Sequence, residues 1–183
     1  MDIIFIIGGL LLIVIYAVSL YNKLIRLNIQ VDEAFAQIEV QLKRRADLIP
    51  NLVETVKGYA AHERETFEKV VAARAKSTSA TGVQGVAEAD NMLTQALRGL
   101  LAVAEAYPDL KASTNFMQLQ EELSTTENKV AFARQFYNDS VRTLNTAVKA
   151  IPTNLFVSIA KVNEREFYEI EDPTERGVPK VSF

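Results

Sequence analysis

The single histidine, His62, sits in the run AHERETF, where a metal site on a helix would need a second ligand one turn away. Gly58, Tyr59, Glu65 and Thr66 occupy those places, so only Glu65 qualifies. His-x-x-Glu without a second histidine is not the HExxH pattern of a zinc protease, and His62 reads as exposed on a polar face. One histidine also cannot serve the two helices on which a di-iron bundle places its paired Glu-x-x-His motifs. The chain has no cysteine, which removes thiolate chemistry, disulfides and Cys-rich zinc sites together. Glu121 and Glu122 are adjacent, diverge by about 100° around a helix, and suit solvation better than acid–base partnership. The serines at 77 and 79 lie in a loop-like run, and no nucleophile elbow occurs. The run GVQG lacks the Lys-Ser/Thr that completes a phosphate-cradling loop. No catalytic residue, cofactor or metal is expected, and the chain reads as a protein that is not an enzyme.

Polar residues concentrate instead around one proline and on one later helix. Arg44, Arg45, Asp47, Asn51 and Glu54 surround Pro50, while Glu121, Glu122, Glu127 and Asn128 fall together further on. Two readings stand for them. In the structural one, Asn51 or Asp47 satisfies backbone groups freed by Pro50, and Arg45 pairs with a carboxylate of the long helix, fixing register as buried polar groups sometimes do. In the functional one, the charges face outward as a docking surface.

The elements that must position these residues follow from apolar spacing. Leu24, Leu27, Val31, Phe35, Ile38 and Leu42 recur at three-four intervals, and the phase continues past Pro50 through Ile49, Leu52 or Val53, Val56, Tyr59, Phe67 and Val70. A first long helix kinked at Pro50 is therefore expected, with a helix hairpin at Asp47 to Ile49 as the alternative, because an interior proline costs ~3 kcal/mol. The run Lys76 to Gly85, KSTSATGVQG, predicts the first loop and a chain reversal. A second helix is predicted from about Val86 to Tyr107 with Val86, Ala89, Leu93, Leu97, Leu100 and Ala104 on one face, stopped by Pro108. A third covers roughly Ala112 to Ala150, with Phe116, Leu119, Leu123, Thr126, Val130, Ala133, Tyr137, Val141, Leu144 and Val148 in a heptad-like row ended by Pro152. Such stripes must bury against one another, which gives an all-α chain with an antiparallel, up-and-down bundle.

Ahead of the bundle, Ile3 to Tyr21 is a 19-residue stretch without a charge. That is close to the roughly 20 residues a helix needs to cross ~30 Å of hydrocarbon, and it is apolar all round. Ala17-Val18-Ser19 resembles a signal-peptidase site, but no basic residue precedes the run. Lys23, Arg26, Lys43, Arg44 and Arg45 all follow it, so an uncleaved single-pass anchor is expected, with the N-terminus outside and the bundle in the cytoplasm. Gly8 and Gly9 thin one face where another helix can approach. The bundle axis is expected to continue the anchor, since only Asn22 and Lys23 separate them. Twenty Lys and Arg against 23 Asp and Glu, with the one basic cluster followed by Asp47, argue against a nucleic-acid partner. Domain limits of 1–21 for the anchor, 22–162 for the bundle and 163–183 for a tail follow. In that tail, Phe167, Tyr168 and the terminal Phe183 either pack back on the bundle or form a short motif for a partner.

The run QLKRRADLIPNLVETVKGY, Gln41 to Tyr59, resembles the signature of the LemA family, and AYPDLKA, QLQEELSTTEN, ARQFYND and the closing PKVSF extend the resemblance over nearly the whole chain. The resemblance implies a bacterial inner-membrane protein with a helical bundle on a membrane anchor. Two functions from different classes are compatible with it. One is a non-catalytic scaffold that self-associates into a homo-oligomer at the cytoplasmic face of the lipid bilayer and organises or shapes it. The other is an adaptor that presents its bundle or tail to another membrane protein, such as a protease or signalling receptor.

Overall fold

A computed structural model describes residues 2–169, and every regular element in them is helical. Helix α1 spans Asp2–Lys57, α2 Arg64–Ser79, α3 Gly82–Glu105, α4 Pro108–Lys111 and α5 Thr114–Lys149. A 3-10 turn at Thr153–Phe156 and α6, Val157–Ala160, follow the cis bond between Ile151 and Pro152. Residues 162–169 are without regular structure.

The first helix is not broken at Pro50, which lies inside α1 with its ring exposed. Proline removes the hydrogen bond that Ala46 O would accept. Arg74 of α2 donates to that carbonyl instead, Nε to O at 2.8 Å. Neither Asp47 nor Asn51 takes this role: both are exposed, and the Asn51 carbonyl accepts from Thr55 Oγ1 at 2.8 Å.

The chain reverses eight residues later, at Gly58–Glu63, where the apolar phase predicts an uninterrupted helix. Gly58 is a poor helix residue, and the last turn closes with Ala60 N donating to Val56 O at 2.9 Å. Buried Ala60 plugs the turn. Conversely, the predicted loop over 76–85 shrinks to Ala80 and Thr81. The Thr78 and Ser79 hydroxyls donate back to Ala75 O and Lys76 O, at 3.0 and 3.2 Å, which keeps that polar run helical. Gly82 then supplies a left-handed φ of 74° that a side chain would resist. Pro108 opens α4 rather than simply stopping α3, a position that suits its missing N–H.

Among the described residues the chain divides into two compact units, 2–38 with Phe132–Phe167, and Glu39–Ala131 with Tyr168 and Glu169. In the second unit, Lys57 Nζ lies 5.5 Å from the Phe67 ring centre and Arg74 reaches Ala46, so α2 runs back along α1. Lys76 Nζ approaches Met92 Sδ at 3.0 Å, which sets α3 antiparallel to α2, and the start of α5 descends beside α1 through Arg45 and Glu127. The core of this up-down-up-down unit holds Ile49, Leu52, Val53 and Val56 with Phe67, Val70, Leu93, Leu97, Leu100, Leu110, Phe116 and Leu123.

The first unit pairs α1 with the end of α5. Phe35 and Tyr137 rings meet at 5.7 Å and 55°. Leu24, Val31, Ala34 and Ile38 are buried, as are Tyr137, Val141 and Leu144. Outside this packing, α1 keeps a run of exposed apolar residues from Ile3 to Val18, long and apolar enough to cross a membrane.

Candidate functional site: a buried charge network in the four-helix unit

Arg45 stands seven residues after Ile38 and seven before Leu52, in a row of α1 that is otherwise apolar and buried. Helical periodicity therefore carries a guanidinium into the interior, where it is 1% exposed. An unpaired charge there would cost several kcal/mol. The neighbouring helices supply acceptors: Nη1 donates to Asp90 Oδ1 at 2.8 Å and to Thr94 Oγ1 at 3.0 Å, and Nη2 donates to Glu127 Oε1 at 2.7 Å. Tyr168, also buried, donates its hydroxyl to Asp90 Oδ2 at 2.9 Å. Thr94 is oriented by donating to Asp90 O at 2.9 Å. Residues of α1, α3, α5 and the segment after α6 thus converge on one cation.

Electrostatics follow from this enclosure. Burial pulls the Arg45 guanidinium below its ordinary pKa, while the charge and hydrogen bond of Glu127 push it back up. At neutral pH it remains a cation. Asp90 is fully buried, whereas the Glu127 side chain is 46% exposed, so the network is closed at one end and wetted at the other.

The carboxylate that α5 gives to Arg45 is Glu127, not Glu121 or Glu122, which are exposed along with Asn128. Around Pro50, Arg44, Asp47, Asn51 and Glu54 are exposed at three-four spacing and form a polar stripe on the outer side of α1. His62 is exposed in the Gly58–Glu63 turn rather than on a helix. A groove of about 390 Å³ opens between α1 and the α2–α3 connection, lined by Glu39, Lys43, Asp47, Ser77 and Thr78 among others. Asp90, Thr94 and Arg74 were not anticipated from the sequence. Asp90 did carry a signal, because it stands seven residues before Leu97, a carboxylate at a core position of the α3 stripe.

In the first unit, the segment after α6 is held by side chains. Asn145 donates Nδ2 to Arg165 O and accepts from Arg165 N on Oδ1, both at 2.9 Å. Tyr137 donates to Glu166 O at 2.8 Å, Lys149 pairs with Glu164 at 2.8 Å, and Arg165 pairs with Asp32. Phe167 remains 40% exposed. Phe183 lies outside the described residues.

Three relatives frame this geometry. A protein named LemA from Metamycoplasma hominis is 27% identical over 134 residues, covering 73% of this chain and 61% of its own. Magnetosome protein MamQ 2 of Paramagnetospirillum magneticum is 22% identical over 175 residues, and magnetosome protein MamQ of Magnetospirillum gryphiswaldense 23% over 174, each covering 81% of this chain. The chain spans 61 to 64% of the length of these curated relatives. The family model described as LemA family matches residues 34–183, a stretch that takes in Arg45, Asp90, Glu127 and Tyr168 together, and the chain belongs to that family.

Proposed function

We propose that this chain is a single-pass, non-catalytic scaffold that self-assembles at the cytoplasmic face of a bacterial inner membrane and organises or shapes it. One observation carries the reading. The polar residues gathered around Pro50 divide between a buried lock, Arg45, and an exposed stripe of Arg44, Asp47, Asn51 and Glu54 on the same helix. A rigid face carrying both signs of charge can present complementary groups to a second copy and fix the register of side-by-side contact. A bend of α1 at Pro50 belongs to this reading, since it would turn the stripe outward. The basic residues that follow the apolar run, Lys23 and Arg26, support an orientation with the N-terminus outside. Relatives named as magnetosome proteins are compatible with a role in organising a membrane.

Amine-reactive cross-linking of the full chain in native membranes tests it. A ladder of multiples of the chain mass is expected, and charge reversal of Asp47 and Glu54 together should shorten that ladder while leaving the melting temperature unchanged. A single heterologous product would favour the adaptor, with the bundle or tail docked on another membrane protein. A monomer in both variants would defeat the scaffold.

A further inference from the structure

The end of the first unit nearest the apolar run of α1 carries an exposed apolar knuckle. Ile151 is 82% exposed, Leu155 69% and Ile159 68%, spaced four residues apart across the turn and α6. Thr153 between them and Ala160 and Val162 just after them are buried, so the segment is packed, and its large aliphatic side chains still point outward. Leaving three such residues in water forgoes the gain that large aliphatic side chains draw from burial.

Register fixes where the knuckle lies. Phe35 packs against Tyr137, and Asp32 and Asn145 both meet Arg165, so α5 runs antiparallel to α1 here. Both helices rise about 1.5 Å per residue, which sets Lys149 level with Lys23 and the turn that follows level with Tyr21 and below. Burial along α1 agrees: Ile3 to Val18 are exposed, whereas Leu20 and Leu24 fall to 9% and 0%. The covering chain therefore reaches the last residues of the apolar run and stops there. Basic groups ring this end, with Lys23, Arg26, Lys149 and Lys161 against Glu164.

We infer that the Ile151–Leu155–Ile159 knuckle is a second membrane contact, inserted into the headgroup boundary of the same bilayer that α1 crosses, with the surrounding lysines on anionic lipid phosphates. The inference rests on reading residues 3–21 as a membrane span. Side chains at this level would enter about 5–10 Å, the usual depth of an interfacial amphipathic segment. The contact adds a second attachment point beside the anchor and fixes the rotation of the unit about α1.

The absence of cysteine makes the test direct. Leu155→Cys, Ile159→Cys, Phe132→Cys and Val14→Cys are each labelled with an environment-sensitive fluorophore. The full chain is then reconstituted in phosphatidylcholine vesicles containing phosphatidylglycerol and shallow spin-labelled lipid. Phe132 is the aqueous control, exposed but on the opposite side of Tyr137 from the knuckle. Quenching by about twofold or more is expected at 155 and 159, with 132 unquenched and 14 reporting the hydrocarbon interior. Unquenched probes at 155 and 159 beside a buried probe at 14 would overturn the knuckle and leave the span intact. A blue-shifted but unquenched probe there would mean cover by protein, and equal quenching at 132 would mean unspecific adsorption; either overturns it. An aqueous probe at 14 would remove the span and the inference with it.

Discussion

A single guanidinium organises the four-helix unit, and its energetic sign depends on its company. Removing Arg45 alone, as Arg45→Met, takes the Arg45 guanidinium away from buried Asp90 and should cost about 3–5 kcal/mol in urea unfolding. Asp90→Asn added to that background should cost much less than it does alone, giving a coupling of roughly 0.5–3 kcal/mol. Glu121→Gln in the same cycle should show none, because it is exposed and Glu127 takes the place at Arg45. Tyr137 gives a pH dependence. Burial, then the nearby charge of Glu166, raises the phenol above its ordinary value of 10.0. Folding therefore favours the protonated form, so its contribution is fully present below pH 10 and is lost as pH rises through the higher folded value. The stability difference between wild type and Tyr137→Phe, followed by circular dichroism, should shrink above pH 10. The core position of Arg45 was visible in the seven-residue spacing to Ile38 and Leu52. A carboxylate of the long helix was expected to meet it, but which one, and the Asp90 and Thr94 contributed by α3, were not legible, since they depend on how α3 and α5 align with α1, and spacing within one helix carries no such information.

Helices show the same division between what is local and what is not. The stripes of α3 and α5 could be read because side chains three and four apart must share a face, and Val86, Ala89, Leu93, Leu97, Leu100 and Ala104 are all buried. The reversal at Gly58 was hidden because Phe67 and Val70 happen to continue the phase of α1 while belonging to α2. Packing decides such turns. The bond from Arg74 to Ala46 O offers a test of how α1 survives its proline. Arg74→Ala should orphan a half-buried carbonyl and cost about 1–3 kcal/mol. In a Pro50→Ala background the backbone N–H returns, α1 closes its own hydrogen bond, and Arg74→Ala should then cost a few tenths. Equal costs in the two backgrounds would show that Arg74 acts only by packing.

For the molecule as a whole, the segment after α6 is part of the fold rather than a loose appendage, as far as residue 168. Deleting 163–183 removes the Asn145 clasp, the Tyr137 acceptor and the Tyr168 bond to Asp90. At about 1 kcal/mol each, the loss should lower the melting temperature by roughly 5–10 °C. An unchanged melting curve would return the segment to the role of a partner motif. Hydrophobic patterning alone could not separate these outcomes, because Tyr168 is anchored by a polar atom whose acceptor lies 78 residues away in sequence. The family match spans residues 34–183, so it takes in both Pro50 and Arg74. A proline that leaves a carbonyl open and an arginine from another helix that fills it work as two halves of one device. Descendants that lose the proline release the arginine from its duty, and lineages that lose the arginine first are left with a defect. The two positions should therefore change together across the family, with proline as the first to be replaced.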